Sequence, residues 1–328
     1  MMDYEVFKSI VKGKFLSYMP PEYRDAAVDI RPVQKVNQTR DALTVYKGKG
    51  TVMAPTIYID DIYGHYRECG SLEAALRDSA ERYAVELENA KNCVPNIDIR
   101  HLKENVVMCL VNTEQNRGLL AGVPSREFHD LSVIYRWDVE VMPGVSGSIT
   151  VTNVVAEMAG MTEEELFRHA SENTRRISPV SIMPMRELML ELLPDEMKSM
   201  FMQESSHAEG RWVITNESRI NGAVSMLFEE NLHQLAEQVG DNLLLLPSSV
   251  HEVIAVPAGM AEGDPSELAE LVHGINMDMV ELEERLSNSV YCYDKDARTI
   301  VLAVESPEKR LDGKGAEQPL IQEDRGQR

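Results

Sequence analysis

The residues best suited to chemistry are Ser248, Ser249, His251 and Glu252, which stand within five positions between the apolar runs Leu243–Leu246 and Val253–Val256. A serine beside a histidine and an acid is the residue set of a hydrolase, in which the imidazole takes the serine proton. On an extended strand Ser249 and His251 share one face, and Ser248, Val250 and Glu252 share the other. Same-face neighbours lie roughly 6–7 Å apart at Cα, so a bond from Ser249 to the imidazole requires the chain to bend. No G-x-S-x-G surrounds either serine. Position 255 is alanine, so His251-Glu252 does not open an H-E-x-x-H zinc motif. The same four residues also suit a sharp corner whose hydroxyls satisfy backbone groups, or the wall of a binding pocket.

Two amide-rich turns are the next candidates. Asn112-Thr-Glu-Gln-Asn116 follows an apolar run, and Asn216-Glu-Ser-Arg-Ile-Asn221-Gly222 precedes one. Asparagine bonds its own backbone in turns, and the end of a sheet is also a place for a polar binding edge. The expected ligand-binding set is therefore Asn112, Asn116, Asn216, Asn221, Ser249 and His251. The turn at 216–222 lacks the glycine density of a phosphate-binding loop. Asp60, Asp61, Asp130 and Asp138 offer acid pairs, as expected by coincidence in a chain with 54 acids. No cofactor and no metal are expected. Cys69, Cys93, Cys109 and Cys292 form no C-x-x-C, and the histidines have no ligand spacing.

The elements that must position these residues read as α+β, with mixed or antiparallel sheets and packed helices. Tyr4, Phe7, Ile10, Val11 and Phe15 recur at helical spacing over 3–17. Short strands follow at 27–31, 33–36, 43–46 and 56–59, with a turn at Gly48 and Gly50. Ser71 caps a helix over 72–91 whose inner face carries Ala75, Leu76, Ala80, Tyr83 and Leu87. This block, 1–94, reads as a module. A main domain follows over 95–304, with sub-blocks 95–202 and 203–304. Its strands are 106–111, 128–138 with His129, Leu131, Val133, Tyr135 and Trp137 turned inward, 148–152, 212–215, 242–246, 250–256, 290–293 and 299–304. The four leucines at 243–246 suit a strand covered on both faces. Its helices include one capped by the Thr162–Glu165 box, one at 185–193, one over 223–239 stopped by Gly240, and one opening at Asp264-Pro265 with Leu268, Leu271, Val272 and Ile275 inward. Residues 305–328 lose periodicity and are expected to be a disordered tail.

The chain has 328 residues and a net charge of −21, a field that repels phosphate backbones and anionic membranes. No nucleic acid and no membrane partner is expected. No stretch of 18 apolar residues or secretory leader is visible, and unpaired thiols suit a reducing compartment, so the expectation is an acidic cytoplasmic protein.

The runs Asn112–Asn116, His129-Asp-Leu-Ser-Val-Ile-Tyr135, Thr215–Leu227, Leu246-Pro-Ser-Ser-Val-His-Glu-Val-Ile254 and Leu286-Ser-Asn-Ser-Val-Tyr-Cys-Tyr-Asp294, in that order, resemble a bacterial family, domain of unknown function 5688. The resemblance covers roughly residues 1–300. It implies a bacterial protein without assigned activity and supplies no catalytic residues. The residues themselves favour a non-enzymatic binding or regulatory protein whose partner is a peptide, a small ligand or a protein. The alternatives are a hydrolase using the Ser/His pair and an acidic, immunity-type partner of a basic protein.

Overall fold

The computed structural model describes residues 2–46, 55–91, 98–142, 145–198, 210–261, 265–306 and 308–313. The chain divides into two units, residues 1–99 with 138–149, and residues 100–137 with 150–328. The class is α+β: helices with three antiparallel sheets.

In the first unit α1 (Tyr4–Lys14) starts where Asp3 accepts the amides of Glu5 and Val6. A three-stranded sheet follows, β1 (Ala27–Lys35), β2 (Gln38–Tyr46) and β3 (Ile57–Tyr58), in that order. The two strands expected at 27–31 and 33–36 are one. The strand expected at 56–59 is only two residues long, because Ile59 opens a helix, α2 (Ile59–Cys69), whose first turn carries Asp60 and Asp61. Carboxylates there meet the positive end of the helix. α3 (Leu72–Lys91) begins at Ser71, whose Oγ accepts the Ala74 amide at 3.2 Å. Its Leu76, Ala80, Tyr83 and Leu87 close one core with Phe7, Val11, Phe15, Leu43 and Ile62. Burial pushes the Tyr83 phenol up to about 12, and its oxygen accepts from Val45 N and donates to Pro55 O.

The second unit opens with α4 (Leu102–Asn105) and β4 (Val106–Asn112), then α5 (Arg117–Leu120), β5 (Ser125–Phe128) and β6 (Leu131–Met142). β4, β6 and β5 lie in that order; β7 (Val145–Thr150) pairs with β6, and residues 138–149 of these two strands belong to the first unit. Leu131, Val133, Tyr135 and Trp137 are buried as expected, but Ser132 and Ile134 are buried too, so this strand is covered on both faces. His129 is not on the strand; it sits exposed in the β5–β6 turn at φ 56°. Next come α6 (Asn153–Ala159) and α7 (Glu163–Ile177), the latter started by the reciprocal Thr162–Glu165 box. Thr174 of α7 accepts the Met108 amide of β4.

The largest sheet runs β13–β12–β10–β11–β9–β8. Its members are β8 (Val180–Pro184), followed by α8 (Met185–Leu192), then β9 (Trp212–Asn216), β10 (Leu243–Leu246), β11 (Val253–Pro257), β12 (Val290–Asp294) and β13 (Thr299–Val304). β10 is central and all four leucines are buried; Leu244 and Leu246 pack on Ala269 and Val272. Two helices flank the strands, α9 (Glu229–Val239) and α10 (Pro265–Met279). The expected helix over 223–239 is a 3-10 turn at Gly222–Leu227 followed by α9, which ends at left-handed Gly240. α10 is rolled from its expected orientation. Leu271 and Ile275 are exposed, and Ala269, Val272 and Asn276 face inward. Asn276 explains the roll: its Nδ2 donates to Ser287 O at 3.0 Å and Asn288 Oδ1 at 2.7 Å, and a buried amide requires such partners.

Part of the tail expected to be disordered from 305 is ordered against the second unit. Ser306 and Leu311 are buried, and residues 305, 306 and 308–313 are described with the second unit. The expected turn at Gly48 and Gly50, the polar joint at 203–209, the Asp264 cap, Cys93 and residues 314–328 lie outside the described residues.

Candidate functional site

Ser248, Ser249, His251 and Glu252 form a corner rather than the start of a strand, since β11 begins only at Val253. The corner is tied to two other segments. Its Val250 amide donates to Glu284 O at 2.8 Å, and its Ser248 carbonyl accepts from Leu286 N at 2.9 Å. From the other side Thr215 Oγ1 donates to His251 O at 2.7 Å, and Ala223 N donates to Val250 O at 3.1 Å. Gly222 lies where these segments touch. A Cβ there would meet Thr215 Oγ1, would come within 2.5 Å of His251 O and would come within 2.8 Å of Asn216 N.

The His251 ring is a wedge between the segments. Its Nδ1 accepts the Asn221 amide at 3.2 Å, and its Nε2 faces Glu284 Oε1 at 3.4 Å. An amide donor at Nδ1 places the proton of the neutral ring on Nε2, toward the carboxylate. Ser249 Oγ accepts the backbone amide of His251 at 3.0 Å. Burial pushes the Glu252 carboxyl above its ordinary range and Glu284 adds to the rise, against the pull of His251 and the Ser249 bond. The serine hydroxyl and both ring nitrogens are thus engaged with other groups. Nucleophilic activation requires the serine oxygen on a basic nitrogen, and here the ring nitrogens serve Asn221 and Glu284.

Asn216 and Asn221 join this corner, as residues of one tight turn. Asn216 Oδ1 accepts from Ser218 Oγ at 3.0 Å and Ile220 N at 3.3 Å, and its Nδ2 donates to Ile220 O at 2.9 Å. Arg219 and Asn221 both hold left-handed backbone, at φ 56° and 52°. That conformation is uncommon for any side chain but glycine, and its cost persists only where surroundings enforce it. Between these two residues the Ile220 side chain is 60% exposed.

Asn112 and Asn116 belong to a second cluster. Asn112 Oδ1 accepts the Gln115 amide and Asn116 Nδ2 donates to Asn112 O, so both buried amides close their own turn. The adjacent centre is Asp130, whose chemistry the sequence left open. Its Oδ2 accepts from Ser287 Oγ at 2.7 Å and Ser289 Oγ at 3.1 Å, and its Oδ1 accepts from Tyr291 OH. Burial and the Asp130 charge drive the Tyr291 phenol far above its usual range. Positions 287, 289 and 291 reach one carboxylate because alternate residues of an extended chain share a face. The segment Glu284–Ser289 links the two clusters through its backbone bonds to 247, 248 and 250. Asp60 and Asp61, by contrast, are paired with Arg40 in the first unit.

Glu284 and Arg285 carry no sequence signal of a site, whereas Gln115 and Ile220 lie inside the two amide-rich turns, where only the asparagines stand out. Among the described residues, no group of three or more His, Cys, Asp or Glu side chains stands close enough to hold a metal, and no helix is long and apolar enough to cross a membrane. Over residues 4–295 the sequence matches the model of a family described as Family of unknown function (DUF5688), and the chain belongs to that family. No curated protein and no solved structure matches it.

Proposed function

We propose that this chain acts by binding a protein or peptide partner, with the turn at 216–222 as the contact and the corner at 247–252 as its support. One observation carries the reading. Ile220 is presented to solvent while Asn216 grips both its amide and its carbonyl, and two left-handed neighbours fix the turn. An apolar side chain held in one conformation before contact loses little entropy on binding, which is how a small anchor gains affinity. Ser249, His251 and Glu252 then act through position, holding the turn by Asn221 N and Thr215 rather than by attacking a substrate. The hydrolase alternative lacks the Ser249–imidazole bond that would favour it. The −21 charge favours a partner with a basic surface, drawn in by long-range attraction. The setting we propose is the bacterial cytoplasm, where thiols such as Cys69 and Cys292 stay reduced.

The test is gentle purification of the tagged chain from its native cells, with intact-mass analysis for a companion. The expected result is a stoichiometric companion that Ile220→Asp and Asn216→Ala lose while their melting curves keep a cooperative transition. Retention of the companion by both variants overturns the site. Labelling of Ser248 or Ser249 by a serine-reactive phosphonate, abolished by His251→Ala, overturns the binding reading in favour of catalysis.

A further inference from the structure

We propose that Gln115, Arg285, Asn288 and Ser289 form a peptide-binding groove, that the chain fills it with its own Ser306 and residues 308–311, and that an extended peptide with an aliphatic anchor displaces them. The inference goes beyond the reading of the Ile220 turn and uses none of its residues.

The filling segment is held by its main chain. Gln115 Oε1 accepts the Leu311 amide at 3.1 Å, and Arg285 Nη1 donates to the Leu311 carbonyl at 2.7 Å. Asn288 Nδ2 donates to Glu308 O at 3.0 Å, and Ser289 Oγ accepts the Ser306 amide at 3.1 Å. These are side chains reading a backbone, the way receptors hold extended peptides when affinity comes from the main chain and selectivity from one pocket. The pocket here takes the Leu311 side chain, which is fully buried.

Three of the four holders are oriented by contacts that do not involve the segment. Arg285 donates to Val280 O at 2.8 Å and Met277 O at 3.3 Å. Asn276 Nδ2 donates to the Asn288 side-chain oxygen, Oδ1. Ser289 donates to Asp130, which leaves its lone pairs for an incoming amide. A groove kept in shape from behind survives release of its occupant. Two charges of the occupant pair with residues beside it in the chain, Lys309 with Glu305 and Arg310 with Asp312. The holders lie inside the residues matched by the family, 4–295, and the occupant lies beyond them.

The experiment uses the full chain and a fluorescein-labelled peptide of residues 305–313. Leu311→Glu is expected to release the segment and bind the peptide at least 10-fold more tightly than the parent, by anisotropy. A peptide with aspartate at the anchor is expected not to bind. A folded Leu311→Glu chain that ignores the peptide overturns the proposal. Hydrogen exchange on the parent chain decides it independently of that variant's folding. The Ser306 and Leu311 amides are expected to exchange at least 10-fold faster than those of β12, through local opening. Equal protection makes the segment an integral part of the core and overturns the groove.

Discussion

One added methyl at Gly222 tests how closely the turn and the corner are joined. The Cβ of Gly222→Ala would overlap Thr215 Oγ1, and it would approach His251 O to 2.5 Å and Asn216 N to 2.8 Å. Two of those three atoms are backbone, so no side-chain rotation relieves them. Overpacking a tight site costs about 1–3 kcal/mol. Parting the segments also loses the Thr215–His251 hydrogen bond, worth about 1 kcal/mol. The expected loss is therefore about 2–4 kcal/mol. Gly274 is the control within the same unit. It lies inside α10 with nothing within 4 Å of an added Cβ, so Gly274→Ala is expected to gain roughly 0.5–1 kcal/mol from helix propensity and a less free unfolded chain. Urea unfolding followed by tryptophan fluorescence reads both, because Trp137 and Trp212 lie in the unit that contains the two glycines. A Gly222→Ala chain within about 1 kcal/mol of the parent would refute the close approach on which the corner's architecture rests.

The other expectations concern charge. Asp130→Asn replaces a carboxylate that accepts three hydroxyls with an amide that offers one oxygen and a competing donor. A loss of about 2–3 kcal/mol is expected in urea unfolding, and a loss below about 0.5 kcal/mol sinks the idea that Asp130 organises the strand. Glu252 is raised by burial, and an acid whose pKa rises on folding stabilises below its unfolded pKa and loses that contribution as pH climbs through its folded value. Glu252→Gln should therefore melt higher than the parent at pH 8, with the advantage fading toward pH 4; an unchanged difference across the series contradicts it. Glu229 behaves in the opposite sense. The Arg298 and Tyr293 bonds hold it at about 2, so its contribution is present above the usual carboxylate range and is lost as pH falls toward 2. Thermal melts between pH 5 and pH 2 should show a shallower acid decline for Glu229→Gln.

Local chemistry was legible where it acts locally. Ser71, Thr162 with Glu165, and Gly240 mark helix ends through bonds that span three or four residues, and the structure shows those bonds. The leucine run at 243–246 also reads correctly, because four apolar residues in a row demand cover on both faces. The errors come from competition between distant groups. α10 has two overlapping apolar stripes that share Val272, and its periodicity favours the one with Leu271 and Ile275. The structure chooses the other, since Asn276 then finds Ser287 and Asn288. At 56–59, β-branched Thr56 and Ile57 read as strand, while the helix start at Ile59 depends on its packing beside Phe7 and Leu76. The site divides in the same way. Asn216 was visible as a self-bonding turn residue, but Gln115 reaches a partner 196 positions away, and no spacing rule extends that far.

The runs on which the resemblance to the family rests gain a physical meaning from this arrangement. Asn112–Asn116, His129–Tyr135 and Leu286–Asp294 meet around Asp130, where Thr113 N donates to Asp130 O and Ser287, Ser289 and Tyr291 reach its carboxylate. Thr215–Leu227 and Leu246–Ile254 meet around Gly222. Glu284–Ser287 bonds the corner through its backbone, and Ser287 then turns its side chain to Asp130. Five runs that are separate in the sequence are therefore one connected hydrogen-bond network in the second unit. A network of this kind is costly when any member is left unpaired, so its residues are constrained together by folding alone. What the network leaves over is the exposed Ile220 side chain and the main-chain contacts that hold Ser306, Glu308 and Leu311, the features on which both proposals rest. The Ile220 side chain satisfies no polar group of the network, and the contacts to Ser306, Glu308 and Leu311 are to main-chain atoms that another extended chain also carries, so each is the kind of feature that a partner can use.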